Sequence, residues 1–239
     1  MTFYFPFDKS LTVWLNHTLT STPVGASLVD RFGDNAIIRG LPTFGALFWL
    51  WTTPKHPDTR PKMAAGLLAA FVVVAVSVWM QYHLFVHLRP FLDPELQFVH
   101  PAFAAKFTWE RQSSFPSDTG TLFFALIAVI FQQSRKVGIL AFAWALITVG
   151  LTRVTLGWHY PSDIAGAFVL GVSSVYFSTY VASKIGSFQR LLLRRDGVGQ
   201  AIDMMVFVFL ADAYHLFPGL EDILHVLIKA AKMVFRHLI

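Results

Sequence analysis

Arg153, His159 and Asp163, separated by five and three residues, are the side chains whose types and spacing point most directly to chemistry. Pro161 disfavours a helical conformation at Tyr160 and suits the first turn of a following helix, so His159 falls just ahead of a helix and Asp163 in its first turn. A carboxylate at that spacing can reach back to one imidazole nitrogen, fixing the tautomer and leaving the other nitrogen to attack phosphorus. Arg153 adds a planar guanidinium fork suited to phosphate oxygens. Two further segments complete the set. Ser-Ser-Phe-Pro-Ser-Asp-Thr-Gly at 113–120 opens a helix, and its free N–H groups and dipole make Ser117 and Asp118 a substrate-binding position for an anion. His-Leu-Arg-Pro at 87–90 contributes a second guanidinium, that of Arg89. Each piece has a plainer reading: an interfacial histidine, a topogenic Arg-Pro after a span, a serine N-cap. As a set they are a nucleophile, an orienting carboxylate, two arginines and a helix start, which is what phosphoryl transfer requires.

The elements that must position these residues belong in a membrane. Of 239 residues, 55% are hydrophobic and 14% charged, too apolar for an ordinary soluble domain. Spanning helices need about 20 mostly apolar residues, and runs of that kind occur at 35–51, 63–88, 119–131, 137–151 and 162–182. The third and fourth are short and are expected to extend into their polar flanks. A sixth run, 202–217, carries Asp203, Asp212 and His215 and reads as a poor span or a surface helix. Lys55, Arg60 and Lys62, then Arg135 and Lys136, then Lys184, Arg190, Arg194 and Arg195 mark alternate connections, which the positive-inside rule makes cytoplasmic. The connections holding the chemical residues, 89–118 and 152–161, then share the outer face.

The expected fold is an all-α integral membrane bundle of five to six spans with interfacial amphipathic helices. Residues 1–34 are read as two short interfacial helices, 35–185 as the transmembrane core, and 186–239 as a basic segment with one further span at most and an amphipathic tail lying on an anionic leaflet. The start of the chain has no basic stretch before Asp8 and does not read as a cleavable signal. With no cysteine, disulfides and thiolate metal sites are excluded. The net charge of +5 is accounted for by the cytoplasmic connections, and no nucleic-acid partner is implied.

The three segments resemble the motifs of the type 2 phosphatidic acid phosphatase family: Lys-x6-Arg-Pro, Pro-Ser-Gly/Asp-His and Ser-Arg-x5-His-x3-Asp. Arg89-Pro90 matches the end of the first, Pro116-Ser117-Asp118 the start of the second, and Arg153, His159 and Asp163 the third, over residues 10–185. The resemblance implies a helical membrane core, a histidine nucleophile, a site at the outer face, and neither metal nor cofactor. Two positions depart from it. Tyr82, with His83 beside it, stands where the family has lysine, and Thr119 where it has the histidine that protonates the leaving group. A hydroxyl does not titrate near neutral pH, so Thr119 cannot substitute directly. Two remedies are open. His83, His87 or His100 takes over the proton, or the leaving group is a phosphate that departs without one.

The expected function is a phosphatase or phosphotransferase acting on a lipid-linked phosphate through a phosphohistidine, a polyprenyl diphosphate being the best-suited substrate. The expected location is a bacterial inner (plasma) membrane, with the site on the periplasmic side and membrane lipids as surroundings. The rival reading is a degenerate member that binds a lipid phosphate as sensor, carrier or assembly subunit. A transporter is weaker, because no repeat-related pair of interrupted spans is visible.

Overall fold

The computed structural model describes residues 5–54, 56–84, 88–96, 98, 113–185, 203, 204 and 206. The chain divides into two units, 1–194 and 195–239. The run at 202–217 and the tail expected to be amphipathic fall almost wholly outside the described residues. In the first unit the described regular elements are all helices: α1 (Asp8–Thr20), α2 (Pro23–Asp34), α3 (Ala36–Thr52), α4 (Thr59–His83), α5 (Asp118–Gln133), α6 (Arg135–Ala145), α7 (Thr152–Thr155) and α8 (Pro161–Lys184), with a short 3-10 turn at Pro90–Leu92.

Helix boundaries follow the local chemistry. Thr22 caps α2 through a bond from Gly25 N–H, with Pro23 at the first position, and Asn35 caps α3 through Ile38 N–H. Ser117 caps α5 through Gly120 N–H. At α8, Pro161 opens the helix while Asp163 reaches back to Tyr160 N–H. The helix α6 does not stop at Ala145. It passes through a π-helical stretch, Leu146–Leu151, into α7, giving one apolar run from Arg135 to Thr155. A π turn shifts the register of the residues beyond it, and such turns gather at functional sites. Here it leads directly to Arg153.

Among the described residues, three helices are long and apolar enough to cross a membrane: α4, the run 135–155, and α8. The protein is an all-helical integral membrane protein. Its centre is α5, which packs against α3, α4, α6 and α8 and is buried continuously from Thr119 to Ile130. Among lipid tails, apolar surface gains nothing by leaving its surroundings for another apolar surface, so close van der Waals fit must hold such helices together. Gly171 of α8 shows that fit: a Cβ there would lie 2.7 Å from Thr121 O and 2.9 Å from Ala125 N of α5. The outer faces of α4, α6 and α8 carry exposed Leu68, Val72, Leu140, Val169 and Phe177, as a lipid-facing surface should.

The helix α1 is oriented against the usual rule for an amphipathic helix. Its sequence pattern reads as an apolar face set against polar residues, yet the buried residues are Asp8, Thr12 and Asn16, while Leu11 and Trp14 are exposed. The stripe at spacing i, i+4, i+8 is polar and turned inward. The cause is what it covers, the polar ends of α7 and α8.

Candidate active site

His159, Asp163, Arg153, Arg89, Ser117 and Thr119 are all buried at one end of the bundle. The backbone assembles them. Gln81, in the last turn of α4, accepts from Ser113 N–H through its carbonyl and donates from its side chain to Pro116 O at 2.7 Å. Ser117 N–H reaches Asp163 O at 3.3 Å, joining the starts of α5 and α8. Phe91 N–H bonds Gly157 O at 3.0 Å, and Arg89 Nη1 donates to Trp158 O at 3.0 Å. Gly157 has φ +71, and a Cβ there would lie 2.5 Å from the Phe98 ring. Only glycine fits that left-handed turn without strain, and it lets the chain double back from Arg153 to His159.

The imidazole of His159 is fully buried. Its Nδ1 lies 2.8 Å from Ser114 O, a carbonyl that can only accept, so Nδ1 carries the proton and Nε2 the lone pair. Nε2 has no hydrogen-bond partner. The expected carboxylate is present but shares this duty: Asp163 Oδ2 is 3.7 Å from Nδ1, and its short bond, 2.7 Å, is to Tyr160 N–H. Burial pushes the His159 pKa down to about 4. Arg89 and Arg153 act in the same direction and Asp163 opposes them.

Two guanidiniums flank the ring. Arg153 lies over the Trp158 indole, 4.9 Å from its centroid, and its carbonyl accepts from Trp158 N–H. Arg89 interacts electrostatically with Asp118, Asp163 and Tyr82, although its burial lowers its own pKa first. Asp118 stands at the open side of the ring, Oδ1 4.0 Å from His159 Nε2, with its side chain 36% exposed. Since Ser117 Oγ takes Gly120 N–H, the N–H groups of Asp118 and Thr119 are the ones left at the start of α5. The arrangement presents one neutral ring nitrogen, positive charge around it, and a carboxylate at the mouth.

The departures are also placed. Thr119 is buried, and its hydroxyl has no hydrogen-bond partner. Tyr82 is exposed at the end of α4. His83 stacks on Trp79 at 4.8 Å and its Nδ1 meets Trp79 O at 2.9 Å. His87 and His100 lie outside the described residues. Residues that the sequence reading missed are Ser114, Gln81, Asp93 and Asp8. Ser114 acts through its backbone carbonyl and Gln81 binds backbone groups of 113 and 116, and backbone partners leave no trace in side-chain spacing, but the Asp8, Thr12, Asn16 stripe was there to be found.

Fold and site together define a membrane-embedded phosphatase. The family model of the PAP2 superfamily matches residues 63–187, and the chain belongs to that superfamily, the type 2 phosphatidic acid phosphatases. Among similar proteins is the bacitracin transport permease protein BcrC of Bacillus licheniformis, 31% identical over 160 residues, 65% of this chain and 71% of that one. The decaprenylphosphoryl-5-phosphoribose phosphatase of Mycobacterium tuberculosis is 32% identical over 157 residues, 63% of this chain and 81% of that one. An Escherichia coli K12 protein provisionally named undecaprenyl-diphosphatase YbjG is 29% identical over 188 residues, 77% of this chain and 88% of that one. No solved structure matches significantly. Membership makes this chain a lipid phosphatase, a hydrolase.

Proposed function

We propose that the protein removes the terminal phosphate of a polyprenyl diphosphate or similar lipid diphosphate at the outer face of a bacterial inner membrane, through a phosphohistidine on His159. The observation that carries this is the imidazole: Nδ1 is committed to Ser114 O, Nε2 is unpartnered, and two arginines stand beside it. The Nε2 lone pair attacks the terminal phosphorus, and the bond from phosphorus to the bridging oxygen breaks. Its electron pair leaves on the lipid monophosphate. Arg89, Arg153 and the N–H groups of Asp118 and Thr119 hold the transferring oxygens. Water then attacks the phosphohistidine, and inorganic phosphate departs.

Asp118 is the proton carrier in this scheme. The terminal phosphate, with a second pKa of about 6, brings a proton into the site, and Asp118 Oδ1, 4.0 Å from Nε2, takes it up as Nε2 approaches phosphorus, before the bridging bond breaks. Asp118 gives that proton to the leaving oxygen and recovers one from the attacking water. Thr119 supplies none, so the proton rests on Asp118 alone, and a phosphate leaving group, stable as an anion with a pKa of about 6, depends on it least. Names of the similar proteins support the lipid class, since one is a decaprenylphosphoryl-5-phosphoribose phosphatase and another carries the name undecaprenyl-diphosphatase.

Acid or alkali quenching during turnover of substrate labelled in its terminal phosphate tests the mechanism. An alkali-stable, acid-labile protein label that vanishes in His159→Ala is expected. Turnover without such a label, or label retained in His159→Ala, refutes it; tight binding without turnover leaves only a binder.

A further inference from the structure

The matched family region begins at residue 63, yet the loop carrying His159 is held from much earlier in the chain. Asp8, the first residue of α1, is fully buried, and its carboxylate accepts from Ser162 N–H at 3.0 Å and Ser162 Oγ–H at 2.7 Å. It thereby takes an anion position at the start of α8, three residues beyond His159. Two turns along, Asn16 Nδ2 donates to Thr155 O at 3.0 Å, at the other end of the same loop. Lys9 then pairs with Asp93 at 3.0 Å, and Asp93 accepts from Tyr160 Oη at 3.3 Å. One face of one helix thus grips the loop before, behind and beside the imidazole. These contacts explain why α1 buries a polar stripe while Leu11 and Trp14 face outward and Leu19 packs beside the Val29, Phe91 and Trp158 cluster.

We propose that α1 is a positioning element of the active site, with Asp8 as its principal residue. Asp8 fixes the start of α8, and so the direction in which His159 Nε2 points, without touching substrate. It also fills the start of α8 with the chain's own anion, so the remaining helix start for a substrate phosphate is that of α5. A buried carboxylate is costly unless its bonds are satisfied. Here Phe5 N–H supplies one bond at 3.1 Å and Ser162, the residue directly before Asp163, supplies the other two, which ties the carboxylate's geometry to the nucleophile's.

The inference rests on His159 as nucleophile, and its test keeps the two apart. Full-length protein in lipid nanodiscs is mixed with a lipid diphosphate labelled in the terminal phosphate, and both the amplitude and the rate constant of phosphoenzyme formation are read. For Asp8→Asn, similar in shape but unable to accept both Ser162 bonds through a carboxylate, the amplitude should stay near wild type. The rate constant and kcat should fall at least tenfold, and KM should change less than twofold. Ser162→Ala should shift the rate in the same direction by a smaller factor, and it carries the test if Asp8→Asn does not fold. The double variant should be no slower than Asp8→Asn. Reduced amplitude at an unchanged rate constant means a merely structural contact and overturns the proposal, as does wild-type kinetics in either single variant. Failure of wild type to form any phosphoenzyme removes the reading of His159 instead.

Discussion

Replacing Asp118 with asparagine sets two effects of opposite sign against each other. Asp118 Oδ1 is 4.0 Å from His159 Nε2, so a phosphoryl group bound there faces the carboxylate directly. Two unit charges about 4 Å apart interact by about 4 kcal/mol at an effective dielectric of 20 and about 1 kcal/mol in bulk water. A side chain 36% exposed belongs between those limits. If the carboxylate only repelled substrate, Asp118→Asn would raise kcat/KM by at least about fivefold, the lower limit of that range. If it carries the proton, removal costs about 10² to 10⁴ in rate where the leaving group is an alkoxide, and less than about tenfold where it is a phosphate. The assay is kcat/KM for a lipid monophosphate and a lipid diphosphate of the same chain length, in wild type and Asp118→Asn. Selective loss on the monophosphate is expected. Adding Thr119→His to that variant should recover monophosphate turnover, because it places a titrating group at the next residue of α5. A gain on both substrates, or equal losses on both, would refute the assignment of the proton to Asp118.

The buried His159 should stay neutral down to about pH 4, so nitrogen NMR of labelled histidine, assigned with His159→Ala, should show a midpoint well below the ordinary 6.5. Because the unfolded chain takes up this proton first, the contribution of His159 to stability is complete above pH 6.5 and is lost as pH falls from there through about 4; a midpoint above 6 would contradict the burial. For sidedness, a single cysteine at exposed Pro94 should react with an impermeant thiol reagent from outside intact cells and one at Lys136 should not, the protein having no cysteine of its own. The reverse pattern would invert the topology.

Long apolar runs made the spanning helices legible, with shifted ends: the run at 63–88 became α4 at Thr59–His83, which begins within the polar flank and ends at His83. The run at 137–151 extended to Thr155 through the π-helical stretch, which no residue pattern announces. Pro161 correctly placed the start of α8, and Ser117 the start of α5. Site residues were legible where side chains recur at fixed spacing, as with Arg153, His159 and Asp163. The orientation of α1 was not, because a pattern of apolar residues says which face differs and not which medium each face meets. In a membrane the outside is also apolar, so a buried polar stripe and an exposed apolar one are compatible.

The tautomer of His159 depends on the carbonyl of Ser114. Every amino acid brings that oxygen, so no substitution at 114 deletes it, and the choice of attacking nitrogen is shielded from point mutation except through a change in the path of the chain. Positions 118 and 119, at the start of α5, have no such shelter: what each can donate depends on its side chain, and one replacement alters it. A lineage with this fold can therefore retain its nucleophile while drifting among leaving groups. Thr119, where the resemblance places histidine, is a departure of that kind, one residue along α5 from Asp118 and close to the proposed nucleophile.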